Sequence, residues 1–275
     1  MKEVFICMKA EKHRADSLSF AERLEAAGIR CLLCERCTDS GIGSLVITDD
    51  PRMAEICETA GTACIGYRPA GEGNGFFPHV SLVWESFDEI DLTEMEQFCR
   101  RFYGEPVVIA RTKRLRIRES VPDDFEALAR LGPCGSPWQE KESYERFCAY
   151  IKQAYPFYGY GYWTVELAEH TEDGGIARET VIGRCGLTDP DLSGGDGFVI
   201  MEKRAEMESS DPLFRLELGY AVAKEYQGRG CAFEMCRAVM TYGFETLGAG
   251  VILVRIRPEN TASLRLARRL GFAVG

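Results

Sequence analysis

The chain has 275 residues, 45% hydrophobic and 28% charged, with a formal charge of −10 and a pI near 5.0. This length favours two domains, and the composition excludes wholesale disorder. The acidic balance argues against a nucleic-acid partner, which needs clustered Lys and Arg, and permits a cationic substrate such as an amine. No stretch approaches the ~18 apolar residues of a membrane span. The start, MKEVFICMKAEKH, is too polar for a signal peptide. The twelve cysteines therefore read as reduced thiols in a cytoplasmic protein.

Residues 1–105 alternate short apolar runs with amphipathic stretches. Strands are expected at 3–8, 29–34, 44–50, 63–68 and 79–85, and helices at 18–28, 51–61 and 92–102. Gly28 and Gly61 stand where helices end. Strands alternating with helices imply a parallel α/β sheet. RPAGEGNGFFP (68–78) is a loop by its Gly and Pro content. Cys31, Cys34 and Cys37 have metal-like spacing, but a strand would turn Cys31 and Cys34 to opposite faces, and no second pair completes a tetrahedral set. Buried, inert thiols and no metal are the expectation.

A composition shift at Tyr103-Gly104-Glu105-Pro106 places the boundary near 106–111, giving a Rossmann-like domain over 1–105 and a second domain over 106–275. The second domain is expected to run as a strand (113–118), helices (122–131 and 139–153), an aromatic run and a strand (181–187). A Gly-rich insertion of undefined structure (188–211) follows, then a strand (213–222), a helix (230–247), a strand (251–257) and a helix (261–270). The aromatic run, Tyr155, Phe157, Tyr158, Tyr160, Tyr162 and Trp163, reads as core and strand packing before it reads as a pocket lining.

The chemistry is carried by the segment from Tyr220 to Phe233, where a strand ends, a short turn follows and two glycines open a long helix. Glycine lets a ligand approach the main chain, and a helix start offers unpaired N–H groups with partial positive charge. Arg229 adds a full charge. This is a place for phosphate. The P-loop pattern is absent, and Phe233 stands where a dinucleotide fingerprint needs glycine.

The remaining pattern, Gln227-x-x-Gly230-x-Ala232, resembles the pyrophosphate loop of the GNAT superfamily of acyl-CoA-dependent N-acetyltransferases. Pro258-Glu259-Asn260-Thr-Ala-Ser263, followed by LRLARRLGF, resembles the same family's last helix, and TKRLRIRE, YGYGYWTVE and VIGRCGL its earlier strands. The likeness covers about 112–275 and is nearest the ribosomal-protein alanine N-acetyltransferase branch. It implies a mixed α+β fold on a partly antiparallel sheet that splays around acetyl-CoA. Tyr220, Ala221 and Val222 would pair with the pantetheine arm. Gly228, Arg229, Gly230, Cys231, Ala232 and Phe233 would hold the pyrophosphate, and Asn260 would contact the cofactor from the next segment. The acceptor would be a small-molecule or peptide amine. Glu217, on the strand leading into the site, is the candidate base, and a solvent-facing strand glutamate is its plainer reading. Ala267 replaces the tyrosine that many members use as acid, which makes Ser263 the candidate, with a plain N-cap role as the alternative.

ITDDPRMAEICETAGTACIGY (47–67) resembles the second half of the haloacid-dehalogenase superfamily, with Asp49 and Asp50 at its acidic turn. The first strand, VFICMKAEKH, lacks the nucleophilic D-x-D, and Met53 replaces a further acid, so a degenerate, non-catalytic domain is expected. A non-catalytic acyl-CoA sensor is the alternative function for the whole chain, and a homodimer stays open.

Overall fold

The computed structural model describes residues 1, 3–34, 43–72, 77–88, 90–131, 143–170, 176–190, 197–206 and 211–274. It divides into two compact units, Met1–Val107 and Val108–Gly275.

The first unit is built on β1 (Glu3–Cys7), α1 (Glu11–Ala26), β2 (Arg30–Leu33), β3 (Leu45–Thr48), α2 (Pro51–Ala60), β4 (Ala63–Tyr67), β5 (Val83–Trp84) and α3 (Leu92–Phe102). The strands form a parallel sheet in the order β2-β1-β3-β4-β5. Every residue of β3 and β4 is buried, as both-faces-covered parallel strands require. Leu45 and Ile47 pack with Phe20 and Leu24 of α1 and Met95 of α3, whereas Val46 packs with Met53 and Cys57 of α2. Asp50 caps α2 by accepting from Arg52 N–H (3.1 Å), Pro51 opens it, and Gly61 ends it at φ 65°. The expected strand at 79–85 shrinks to Val83–Trp84, since only Gly66 and Tyr67 offer it partners. Cys31 packs against the α1–α3 core and Cys34 against the α2 core, on opposite faces; Cys37 lies outside the described residues.

The second unit contains β6 (Val108–Arg111), β7 (Leu115–Arg118), α4 (Phe125–Ala129), α5 (Ser143–Tyr158), β8 (Tyr162–His170), β9 (Ile176–Thr188), β10 (Val199–Arg204), β11 (Asp211–Val222), α6 (Cys231–Glu245), β12 (Ala249–Ile256), α7 (Thr261–Arg269) and β13 (Ala273–Val274). Its sheet has the order β13-β10-β12-β11-β9-β8-β7-β6, antiparallel throughout except where β11 and β12 run parallel. Trp163, Leu187 and Leu216 from the sheet meet Met235, Cys236 and Val239 of α6 in one core.

Elements of this unit also differ from expectation. β6 was not foreseen, because PVVIAR is too short to show a period. The insertion at 188–211 holds β10, which pairs along β12 from Val199↔Ile256 to Arg204↔Val251. α5 continues past Pro156, although proline removes a helix donor. Buried Tyr155 holds that last turn: its hydroxyl donates to Tyr162 C=O (2.5 Å) and accepts from Ser120 N–H (3.1 Å).

Arg118 ties β7 to β8 and to the turn before α4. It donates to Asp124 (2.6 and 2.8 Å) and Glu166 (2.5 and 2.9 Å), with all three side chains under 10% exposed. Arg118→Met would leave the buried Asp124 carboxylate without its cation and Glu166 with only Arg116, 3.4 Å away. The expected cost is about 3–5 kcal/mol, read as a lowered urea midpoint of this unit, with Arg118→Lys recovering only part because an ammonium lacks the planar fork that gives each acid two bonds.

Candidate functional site

The ladder between β11 and β12 stops at Glu217↔Leu253. Beyond it β11 continues to Val222 alongside β9, while β12 continues to Ile256 alongside β10. The two parallel strands therefore part after the Glu217↔Leu253 pair and leave a gap. Ala223 N–H donates to Ile182 C=O (2.8 Å), so antiparallel alternation turns the main-chain groups of Gly219 and Ala221 toward β9 and those of Leu218, Tyr220 and Val222 into the gap. Gln227 Nε2 bonds Val222 C=O from that side (2.9 Å).

The turn after β11 delivers the chain to the start of α6. Gly228 and Gly230 sit at φ 74° and 82°, a region where a β-carbon is strained. The first helix bond outside the turn is Glu234 N–H to Gly230 C=O (3.2 Å), so the amides from Gly230 to Phe233 stand ahead of the helix ladder. The Cys231 side chain is buried, so only its main chain is available at this helix start. Arg229 lies exposed, its guanidinium 5.4 Å from the Tyr226 ring.

Other cations join this helix start, and sequence reasoning missed them. A cavity of about 620 Å³ there is bordered by Arg111, Lys113, Arg114, Arg237 and Arg269, with Phe233 beneath Arg269 at 4.2 Å. Arg114 holds the loop directly, donating to Arg229 C=O (3.0 Å) and to Glu234 (2.6 and 2.9 Å). Glu234 also accepts from Thr112 Oγ1 (2.5 Å) and Arg114 N–H (3.1 Å). These contacts join residues about 120 positions apart, which no local pattern could reveal.

On the far wall, Asn260 Oδ1 caps α7 by accepting from Ser263 N–H (3.1 Å), so its side-chain oxygen is engaged within the helix start. Tyr220 reaches from β11 across the gap and donates to Ser263 Oγ (2.8 Å). Burial pushes the Tyr220 phenol up to about 12, with the Ser263 bond opposing it. Ser263 and Ala267 share one face of α7, and Ala267 is buried. Glu217 sits at the vertex, bonded by Arg255 Nε at 3.1 Å, with both side chains under 20% exposed. Of the aromatic run, Tyr155 and Trp163 are core, Phe157 and Tyr158 are exposed, and Tyr162 lies against Gly219 beside the gap.

In the first unit the acidic turn is occupied by the chain itself. Asp49 accepts from Lys9 N–H (2.6 Å), Ala10 N–H (2.9 Å) and His13 Nδ1 (2.7 Å). Among the described residues no group of three His, Cys, Asp or Glu is arranged to hold a metal, and no helix is long and apolar enough to cross a membrane.

Burial raises the Glu234 carboxyl, but the bonds from Thr112 and Arg114 outweigh it and hold it below the usual range. Its contribution to stability is thus complete above the unfolded-state value of about 4.3 and is lost as pH falls through the lower folded-state value. Glu234→Gln is expected to lower the melting temperature at neutral pH and to lose less of it than wild type between about pH 5 and pH 3. Parallel melting-temperature curves would refute this.

The family profile described as "Acetyltransferase (GNAT) domain" matches residues 114–273. The chain is 31% identical over 99 residues to the uncharacterized N-acetyltransferase p20 of Bacillus licheniformis, covering 35% of this chain and 45% of that protein. It is 33% identical over 60 residues to spermidine N(1)-acetyltransferase of Escherichia coli K12, covering 22% and 32%. The chain thus spans less than half the length of either relative. An acetyltransferase structure from Agrobacterium tumefaciens is similar at 26% identity and TM-score 0.40, covering 59% of this chain and 81% of that one.

Proposed function

We propose that this chain, which belongs to the GNAT acetyltransferase family, moves an acetyl group from acetyl-CoA to a primary amine of a small molecule or peptide by direct attack in a ternary complex. The observation that carries the reading is the parting of β11 from β12 next to a glycine-rich, cation-ringed helix start. The fit is chemical as well as spatial. Leu218, Tyr220 and Val222 offer edge groups to the amides of a pantetheine arm. The amides from Gly230 to Phe233, with Arg229, offer donors to a diphosphate. Lys113, Arg237 and Arg269 add charge, and Phe233 an aromatic surface, where the nucleotide end would extend.

An alkylammonium must lose a proton before it attacks, which calls for a carboxylate. Glu217 stands at the vertex but shares its lone pairs with Arg255, so proton uptake competes with an ion pair. A main-chain amide of the open β11 edge would steady the oxyanion that forms. Ser263, one turn before Ala267 on the same face of α7, is the candidate proton donor. Because Tyr220 fills one of its lone pairs, the Ser263 hydrogen is directed elsewhere, toward the departing sulfur in this reading. A thiol with a pKa near ~8.5 needs only modest help to leave.

A second reading, a non-catalytic acyl-CoA sensor, is favoured by one observation: buried Ala267 cannot donate a proton. For the first unit we propose a non-catalytic role as a degenerate relative of the haloacid dehalogenases, since Asp49 already serves two amides and a histidine.

Acetyl-CoA is expected to raise the melting temperature; a ligand at 100 times its Kd stabilises by about 2.7 kcal/mol. Thiol should be released when amines or peptides are added. Gly230→Val should raise KM for acetyl-CoA about tenfold or more by straining the loop, while Glu217→Gln should lower kcat about 100-fold with KM for acetyl-CoA little changed. Absence of any melting shift at millimolar CoA would overturn the reading, and binding without thiol release across the panel would leave the sensor.

A further inference from the structure

Arg118 on β7, Thr164 on β8, Arg184 on β9 and Ala221 on β11 stand opposite one another across four neighbouring strands. Directly opposed residues raise their side chains from the same face of a sheet. The two arginines in this row are equally buried, at 7% and 6% exposure. Their surroundings differ completely. Arg118 is bonded by Asp124 and Glu166. Among the described residues no carboxylate pairs with Arg184, and its Nε and Nη1 are shut off from solvent without an acceptor.

A guanidinium keeps its proton at neutral pH, so this charge cannot be relieved by neutralisation. Its contact of 4.6 Å with the Tyr162 ring compensates only in part. Burial lowers the Arg184 pKa, with nearby Tyr162 and Tyr150 opposing. Leaving a buried charge unpaired is costly, and chains tolerate it where a ligand brings the opposite charge.

The position of Arg184 ties it to the gap. Its register partner Ala221 lies between Tyr220 and Val222, whose main-chain groups face the opening. The Tyr162 ring lies so close to Gly219 that a β-carbon there would come within 2.2 Å of the phenol oxygen. Gly219, Ala221 and Glu217 share this face of β11, by the two-residue period of a strand. Arg184, Tyr162 and the candidate base therefore line the same side of the reacting centre.

We infer that Arg184 receives a carboxylate carried by one of the two substrates, so that this site selects an anionic group beside the amine or on the transferred acyl chain. The inference rests on the acyl-transfer reading and narrows it to substrates unlike a purely cationic polyamine. The chemistry is the same for both sources: a carboxylate enters, the guanidinium's idle donors bond it, and the buried charge is cancelled.

The test uses the full chain and its Arg184→Met variant in two arms. The first supplies acetyl-CoA with amino acids or with their decarboxylated amines; the second supplies succinyl-CoA or acetyl-CoA with a plain amine. In one arm, wild type is expected to favour the carboxylate-bearing member by about tenfold or more in kcat/KM, and Arg184→Met to bring that ratio near unity. CoA affinity by calorimetry should hold in the variant. Without ligand, Arg184→Met should melt at or above the wild-type temperature, whereas a structural arginine would lose several degrees. Ratios near unity in both arms for wild type, a preference that survives in Arg184→Met, or a marked fall in its melting temperature would each overturn the inference. If wild type binds CoA but releases no thiol, the transfer reading fails separately. Titration of succinate and glycine into the CoA complex then decides: a melting shift present in wild type and lost in Arg184→Met supports the carboxylate site, and no shift in wild type refutes it.

Discussion

Two parallel strands that stop pairing while both still run on create the condition from which the rest of the second unit follows. Main-chain groups along Leu218–Val222 have β9 on one side and the gap on the other, where Gln227 takes only the Val222 carbonyl. Such groups are stable only with a partner, and the gap gives room for one that is extended and amide-bearing. The glycine turn, the cations around Phe233 and the Tyr220–Ser263 bridge are arranged around that opening. Within this arrangement the ion pairs differ in kind. Arg114–Glu234 fixes the shape of the loop, Arg118 with its two acids fixes the sheet, and Arg255–Glu217 fixes the vertex.

The glycine-rich helix start was visible in the sequence because its determinants are local: Gly228, Gly230 and the apolar run after them lie within one turn of each other. Asn260 stood out in the sequence as a cofactor contact implied by the resemblance, and its side-chain oxygen caps its own helix. The alternation of strands and helices in the first hundred residues also reads directly, since both faces of a parallel sheet need apolar cover.

What escaped was long-range. Arg114 touches Arg229 through a fold that brings the turn between β6 and β7 to the helix start, and nothing in TKRLRIRE marks which arginine does so. Arg184 lies in VIGRCGL, where a lone arginine between glycine and cysteine looks like any exposed strand residue; only the register across four strands shows it buried without a counter-ion. The segment carrying β10 looked irregular because its Gly and Asp residues mask a six-residue strand whose pairing partner, β12, comes about fifty residues later.

That late pairing has an implication for solubility. β12 is apolar along nearly its whole length, and its outer edge would otherwise present a row of bare peptide groups suited to recruiting another chain. The insertion therefore works as a built-in guard against sheet-to-sheet aggregation, so a version of the molecule with that excursion trimmed away would be the one to precipitate on expression, even with every residue around the gap intact.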